Sequence, residues 1–148
     1  ASGKNNIIAP RAAASGDLRA LTSAQIASAK QRMQAIVAAS LPQTSAKLTI
    51  DDGYPPMPPT EGNLELLSMY DQVSRDLGFG PVTAVDPQRA GAADISFAAP
   101  YVDMAIDGLG LLGGGSHTPR EFADLRTFQI QTQRLALLLL RQHKSAPR

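Results

Sequence analysis

Gly53-Tyr54-Pro55-Pro56-Met57-Pro58-Pro59 is the clearest boundary in the chain and decides how the rest is read. Four prolines in five positions favour a polyproline II path and remove amide donors that a central strand needs. A segment of this kind suits a stiff crossover between two structural units. It also has the spacing of a PxxP ligand for an aromatic groove. The crossover is the simpler reading and is adopted here.

Before the boundary, residues 5–21 read as extended, from Ile7 and Ile8 to Leu18 and Leu21, although Ala12-Ala13-Ala14 alone would suit a helix. Thr22 with Gln25 three residues later matches a capping box and opens a helix. Ile26, Ala29, Met33, Ile36 and Val37 then recur at helical spacing, and Leu41-Pro42 stops the run. Ala46 to Ile50 alternates as a short strand. The order is β-α-β, a thin unit of roughly 45 residues that is marginal by itself.

After the boundary, Thr60 caps a second helix with Leu66, Tyr70, Val73 and Leu77 on one face, and Gly78 stands at its end. Val82 to Val85 reads as a short strand. Ile95 to Ala99 reads as a short helix with Asp94 near its start and Pro100 at its end, and Met104 to Ile106 as a buried strand. The last helix, running to about His143, has two candidate starts. Thr118, Pro119 and Glu121 suit a cap, a first-turn proline and a box partner. Asp124 is the preferred start, leaving a turn at Thr118. Strands alternating with helices predict an α/β layer with parallel strands.

Composition narrows the function classes. The chain has 148 residues, 43% of them hydrophobic, which is enough for a core and argues against global disorder. Its net charge is +1, basic residues are scattered and aromatics are sparse, so nucleic-acid binding is not expected. The longest apolar run, Leu135 to Leu140, is far too short to span a bilayer, so no membrane partner is expected. Zero cysteines exclude disulfides and thiolate metal sites and leave cytoplasm and periplasm both open. No signal-peptide pattern opens the chain, and a strand-like start suits an excised piece of a longer protein.

Gly113-Gly114-Gly115-Ser116-His117-Thr118-Pro119-Arg120-Glu121 carries the main chemical signal. It places a histidine at the end of a flexible glycine run, where a metal ligand can approach a substrate with little hindrance. The chain has only two histidines, whereas a catalytic zinc needs about three protein ligands. His143 sits in a basic final turn and reads as solvated. Gly108 to Gly113 matches the letters of GxGxxG, but the glycines run on to Gly115 instead of opening a helix, so a dinucleotide site is not supported. Ser116 lacks a nucleophile elbow and reads as a loop residue. Asp51-Asp52 and the pair Asp103 and Asp107 have no histidine at ligand spacing. Asn6 and Arg19 lie near the ends of the first extended stretch, and a guanidinium there suits a carboxylate.

Together these segments resemble the zinc-dependent glutamate carboxypeptidase and aminoacylase family of metallopeptidases. Asn5-Asn6-Ile7-Ile8-Ala9-Pro10 with Gly16-Asp17-Leu18-Arg19 is similar to that family's lid segment. Gly91-Ala92-Ala93-Asp94 resembles its Gly-Gly-x-Asp turn, with Ala92 in place of the second glycine. Gly115 to Glu121 resembles the segment bearing its last zinc-ligating histidine. Their order and spacing agree across nearly the whole chain.

The resemblance implies the C-terminal portion of a two-domain α/β co-catalytic zinc exopeptidase, with half of an inserted α+β lid. Residues 1–52 would be the later half of the lid, which often dimerises, and residues 53–148 the end of the catalytic domain. It implies two zinc ions, His117 as one ligand, and Asn6, Arg19, Gly114 and Gly115 as substrate-binding positions. It implies hydrolysis of a peptide or N-acyl amino acid by metal-activated water. The family's His-x-Asp, bridging Asp, Glu-Glu pair with the general base, and next carboxylate ligand would lie upstream of Asn5. Neither Glu-Glu nor His-x-Asp occurs in this chain, so it is expected to be inactive alone, with the missing N-terminal part as its partner. The alternative is a non-enzymatic interaction module whose strand at 5–21 pairs with another sheet edge.

Overall fold

A computed structural model of the chain describes residues 9–87 and 93–145. Its contacts divide the chain into two units, Ala1–Ile50 and Asp51–Arg148.

In the first unit, helix α1 spans Ser23–Ala38. Thr22 is extended at φ −135°, and its hydroxyl accepts from the Gln25 amide at 3.2 Å. The Gln25 side chain returns the bond by accepting from the amides of Thr22 and Leu21. The expected capping box is therefore formed, a feature worth about 1 kcal/mol. The expected stop is also formed. Leu41 accepts from both the amide and the hydroxyl of Thr44, across a turn through Pro42 and Gln43. Gln43 has φ 62°, the left-handed geometry that a type II turn places after its proline. The apolar stripe of α1 finds no core. Ile26, Ala29 and Val37 are half-buried, Met33 and Ile36 are exposed, and no residue of the helix is buried.

The segments on either side of α1 differ from expectation. Residues 9–20 and 46–50 carry no strand ladder among the described residues, and residues 5–8 of the first predicted strand lie outside them. Alternation survives without pairing, since Leu48 and Ile50 are half-buried while Lys47 and Thr49 are exposed. A period of two specifies which face is apolar. A ladder also needs a neighbour in register, which local sequence does not encode.

The second unit is organised by helix α2, Glu61–Asp76, and helix α4, Phe128–Ser145, which pack together. Thr60 caps α2 by accepting from the Asn63 amide at 3.2 Å. Its far end closes in a Schellman motif, with Phe79 donating to Ser74 and Gly78 to Arg75, both at 2.9 Å. Gly78 has the left-handed φ of 77° that this closure requires. Tyr70, Val73 and Leu138 form the buried centre, ringed by Leu66, Leu77, Val82 and Ile106 among others. The predicted face of α2 is the one that packs.

Helix α3, Ile95–Ala98, continues as a tighter 3-10 turn over Ala99–Tyr101, so Pro100 lies inside the helical stretch and does not end it. Asp124 caps a 3-10 turn, Leu125–Thr127, that runs into α4, as the preferred start requires. The described strand content is one antiparallel ladder, β1 Gly113–Gly114 against β2 Phe122–Ala123, with Gly113 opposite Ala123 and Gly114 opposite Phe122.

The predicted strands at 82–85 and 104–106 show no ladder. Side chains of α2 take the place of a neighbouring strand. The Val82 amide donates to Asp71 Oδ1 at 2.6 Å, and the Ala105 amide to Asn63 Oδ1 at 2.8 Å. Polar side chains can satisfy backbone donors locally and thereby compete with sheet pairing.

Candidate functional site

The glycine run forms one arm of a hairpin, and its composition follows from how closely the arms approach. A Cβ on Gly113 would run into the Phe122 carbonyl oxygen, and one on Gly114 would sit 3.0 Å from the Phe122 ring. A Cβ on Gly115 would lie 2.6 Å from the Arg120 carbonyl, and Gly115 itself has φ 70°. Only glycine meets both demands at Gly115. Because the run enters a hairpin, it offers no helix N-terminus to a dinucleotide phosphate.

The tip spans Gly115 to Glu121 and bonds to itself. Gly115 accepts from the Thr118 amide at 3.1 Å and the Thr118 hydroxyl at 2.6 Å. That hydroxyl accepts from the Arg120 amide, and the Thr118 carbonyl accepts from Glu121 at 3.0 Å. The Glu121 carboxylate accepts from the His117 amide at 3.1 Å. His117 has φ 63°, a conformation uncommon outside glycine that costs on the order of 1–3 kcal/mol unless its surroundings hold it. Glu121 is one such restraint. His117 is exposed, and among the described residues no side chain hydrogen-bonds its imidazole.

The root of the hairpin is pinned to α4. Asp124 donates to the Leu112 carbonyl at 2.7 Å, and Leu112 donates to Thr127 Oγ1 at 3.1 Å. One step back, Gln131 Nε2 donates to the Gly110 carbonyl at 2.7 Å. Gln131 is buried and also accepts from the Tyr70 hydroxyl and from Arg134 Nη1. The Arg134 guanidinium continues this network, donating to Ser74 Oγ at 3.0 Å and to the Phe79 carbonyl, and lying 5.6 Å from the Phe79 ring centroid. Burial pushes the Tyr70 hydroxyl above its ordinary range, against the opposing pull of Arg134. Hydrogen bonds thus link the α2–α4 core to Gly110, just before the hairpin.

Of the expected site residues, Gly114, Gly115 and His117 share this hairpin. Arg19 belongs to the other unit, where it is exposed and its Nε sits 2.7 Å from Asp17 Oδ2. Asn6 lies outside the described residues, as do Gly91 and Ala92 of the Gly-Gly-x-Asp-like turn. Asp94 of that turn accepts from the Tyr54 hydroxyl at 3.0 Å, which pushes the phenol's pKa upward, and the Phe97 ring meets Tyr54 tilted at 48°, with centroids 5.3 Å apart. His143 is exposed on the last turn of α4. No group of three or more His, Cys, Asp or Glu that could hold a metal is gathered among the described residues.

The sequence offers Glu121 as a box partner for a cap at Thr118, and its carboxylate instead restrains the His117 amide. The signal was its spacing of four from His117. Arg134 and Asn63 left no comparable mark, because their partners are 60 and 42 residues away. No described helix is long and apolar enough to cross a membrane. No family model, curated protein or solved structure matches the chain.

Proposed function

We propose that the chain is the C-terminal part of a zinc-dependent metallopeptidase or amidohydrolase that cleaves a peptide or N-acyl amino acid. The observation that carries this reading is the tip of the hairpin. An exposed imidazole stands on a left-handed backbone, tied down by its neighbours' hydrogen bonds and by the Glu121 carboxylate. Order at the base with an uncommitted ring is what a metal ligand needs.

The donor set suits one corner of a metal site. An imidazole is an ordinary zinc ligand, but about three protein ligands are required, and among the described residues no group of three or more His, Cys, Asp or Glu is gathered. The remaining donors, including the general base, belong in this proposal to polypeptide outside residues 1–148. Zinc, when bound, supplies Lewis acidity toward the scissile carbonyl and lowers the pKa of water.

The chain's own residues orient and bind. His117 would hold one of two zinc ions. Glu121 fixes the backbone beneath it. Backbone amides at Gly114 and Gly115 would position the substrate, with no side chain in the way. Arg19 and Asn6 would take the substrate carboxylate or the developing oxyanion from the lid. Arg19 already holds a carboxylate, that of Asp17, and substrate would displace it.

The test is reconstitution with the N-terminal polypeptide of the intact open reading frame. Zinc content and turnover should both fall sharply on His117→Ala. Unchanged zinc and unchanged turnover would remove His117 from the site. The second reading, a pairing module without catalysis, draws on α1, whose stripe buries nothing. An intact protein that holds no zinc would favour it.

A further inference from the structure

The stiffness of the chain changes abruptly where its two units meet in sequence. Every residue from Tyr54 to Pro59 is either a proline or the neighbour that precedes one. Proline fixes its own φ and drives the preceding residue into the extended region. A run of this kind is a rod, roughly 15 Å long at about 3.1 Å per residue. The rod is fastened to the second unit at both ends. At one end the Tyr54 hydroxyl donates to Asp94 at 3.0 Å, and the Phe97 ring lies 5.3 Å from the Tyr54 ring. At the other, the Pro58 carbonyl accepts from the Thr60 amide at 2.9 Å and from Asn63 Nδ2 at 3.1 Å. Pro55, Pro56 and Met57 between these fastenings are half-buried. Immediately upstream the situation reverses. Asp51, Asp52 and Gly53 are exposed, and a Cβ added at Gly53 would meet no atom within 4 Å. Glycine has the widest choice of φ and ψ, so Gly53 is the softest point of the connection. The chain bends at Tyr54, where the soft stretch meets the rod.

We propose that the two units turn on Asp51–Gly53, and that the Pro-rich segment is a strut of the second unit, latched by Tyr54 on Asp94 and Phe97. The contacts assign Asp51 onward to the second unit, so the strut moves with that unit and is not itself the joint. Hinges commonly absorb a change of φ and ψ in a few residues at the end of an element. With Tyr54 held, rotation is confined to the three residues before it. With Tyr54 released, the next fastening is Pro58, and the strut swings as well. The latch therefore sets how wide a range the first unit samples. Arg19 comes before the pivot and His117 after it. In the zinc reading one substrate meets both, so the pivot governs how readily they reach it. That consequence rests on the zinc reading; the pivot itself does not.

The chain has no cysteine, so one pair can be introduced and spin-labelled without background. Ser28→Cys on α1 and Ser68→Cys on α2, both exposed, report the distance between the units by double electron–electron resonance. A broad distribution is expected. Gly53→Pro, which carries the rod one residue further, should narrow it about twofold. Tyr54→Ala, which removes the latch, should broaden it. Tyr54→Phe, which keeps the ring beside Phe97 and loses only the hydrogen bond, should broaden it less. Ser68→Cys with Ala136→Cys, a pair inside the second unit, should stay narrow in every variant and confirms that each one folds. His117→Ala should leave both distributions unchanged, so the pivot and the zinc reading fail separately. A single narrow distance between α1 and α2 overturns the pivot, as does a width that ignores Gly53→Pro. A width that ignores Tyr54→Ala overturns the latch.

Discussion

Helices α1 and α2 have the same length, 16 residues, and both open on a threonine cap, yet their fates differ. α2 buries Tyr70, Val73 and Ser74, while α1 buries nothing. α1 even has the better cap, since its box is reciprocal. The difference teaches that caps decide where a helix begins and a partner decides whether its stripe becomes core. α2 has α4; among the described residues α1 has no comparable helix within its own unit.

The contrast makes predictions of graded size. The largest effect belongs to the shared core of α2 and α4. Leu138→Ala should cost about 3 kcal/mol in chemical denaturation, because it opens a cavity beside Val73. Ile36→Ala on α1 should change the same transition by less than about 0.5 kcal/mol, as an exposed substitution does. Equal losses would erase the distinction between the helices.

Next comes the polar link. Gln131→Ala strips partners from the Tyr70 hydroxyl and the Gly110 carbonyl, and should cost about 2 kcal/mol. Hydrogen exchange should rise at the Leu112 amide, which is held by Thr127 in the 3-10 turn leading into α4. A stability loss without faster exchange there would separate the core from the hairpin.

The caps sharpen the comparison at smaller scale. Thr60→Ala should lower global stability by about 1 kcal/mol. Thr22→Ala removes a cap of similar worth, but should loosen α1 locally and leave the main transition of the second unit in place. Amide exchange resolved by helix distinguishes the two outcomes.

The smallest effect is with pH. Arg75 and the Val82 amide hold the Asp71 carboxyl below its ordinary range. Arg141 and Gln72 do the same for Asp76, and the Arg126 side chain and amide for Asp124. These groups stay ionised to lower pH in the folded chain than in the unfolded one. Their stabilisation is therefore complete above about pH 4 and fades as pH falls below it. Melting temperature should be flat near neutrality and drop in that acidic window. Asp71→Asn should reduce the drop.

Local chemistry made some of this legible from sequence. Thr22, Thr60 and Asp124 mark helix starts because a cap is written within three or four residues. Gly78 marks an end for the same reason. Strands were the weak point. Val82 and Ala105 fall in predicted strands, but they carry no ladder and their amides bond to Asp71 and Asn63, side chains that no periodicity rule would nominate. In the candidate site, the glycine run pointed to His117, while the hairpin behind it depends on Phe122 closing over Gly113 and Gly114. That closure is a contact between residues eight or more apart, and no pattern in the run itself announces it.

The central claim is that this chain brings one imidazole to a metal site finished by other polypeptide. Equilibrium dialysis of residues 1–148 against micromolar zinc tests it most directly. The account predicts well under one zinc bound per chain. A full equivalent, retained on dilution and lost in His117→Ala, would contradict it.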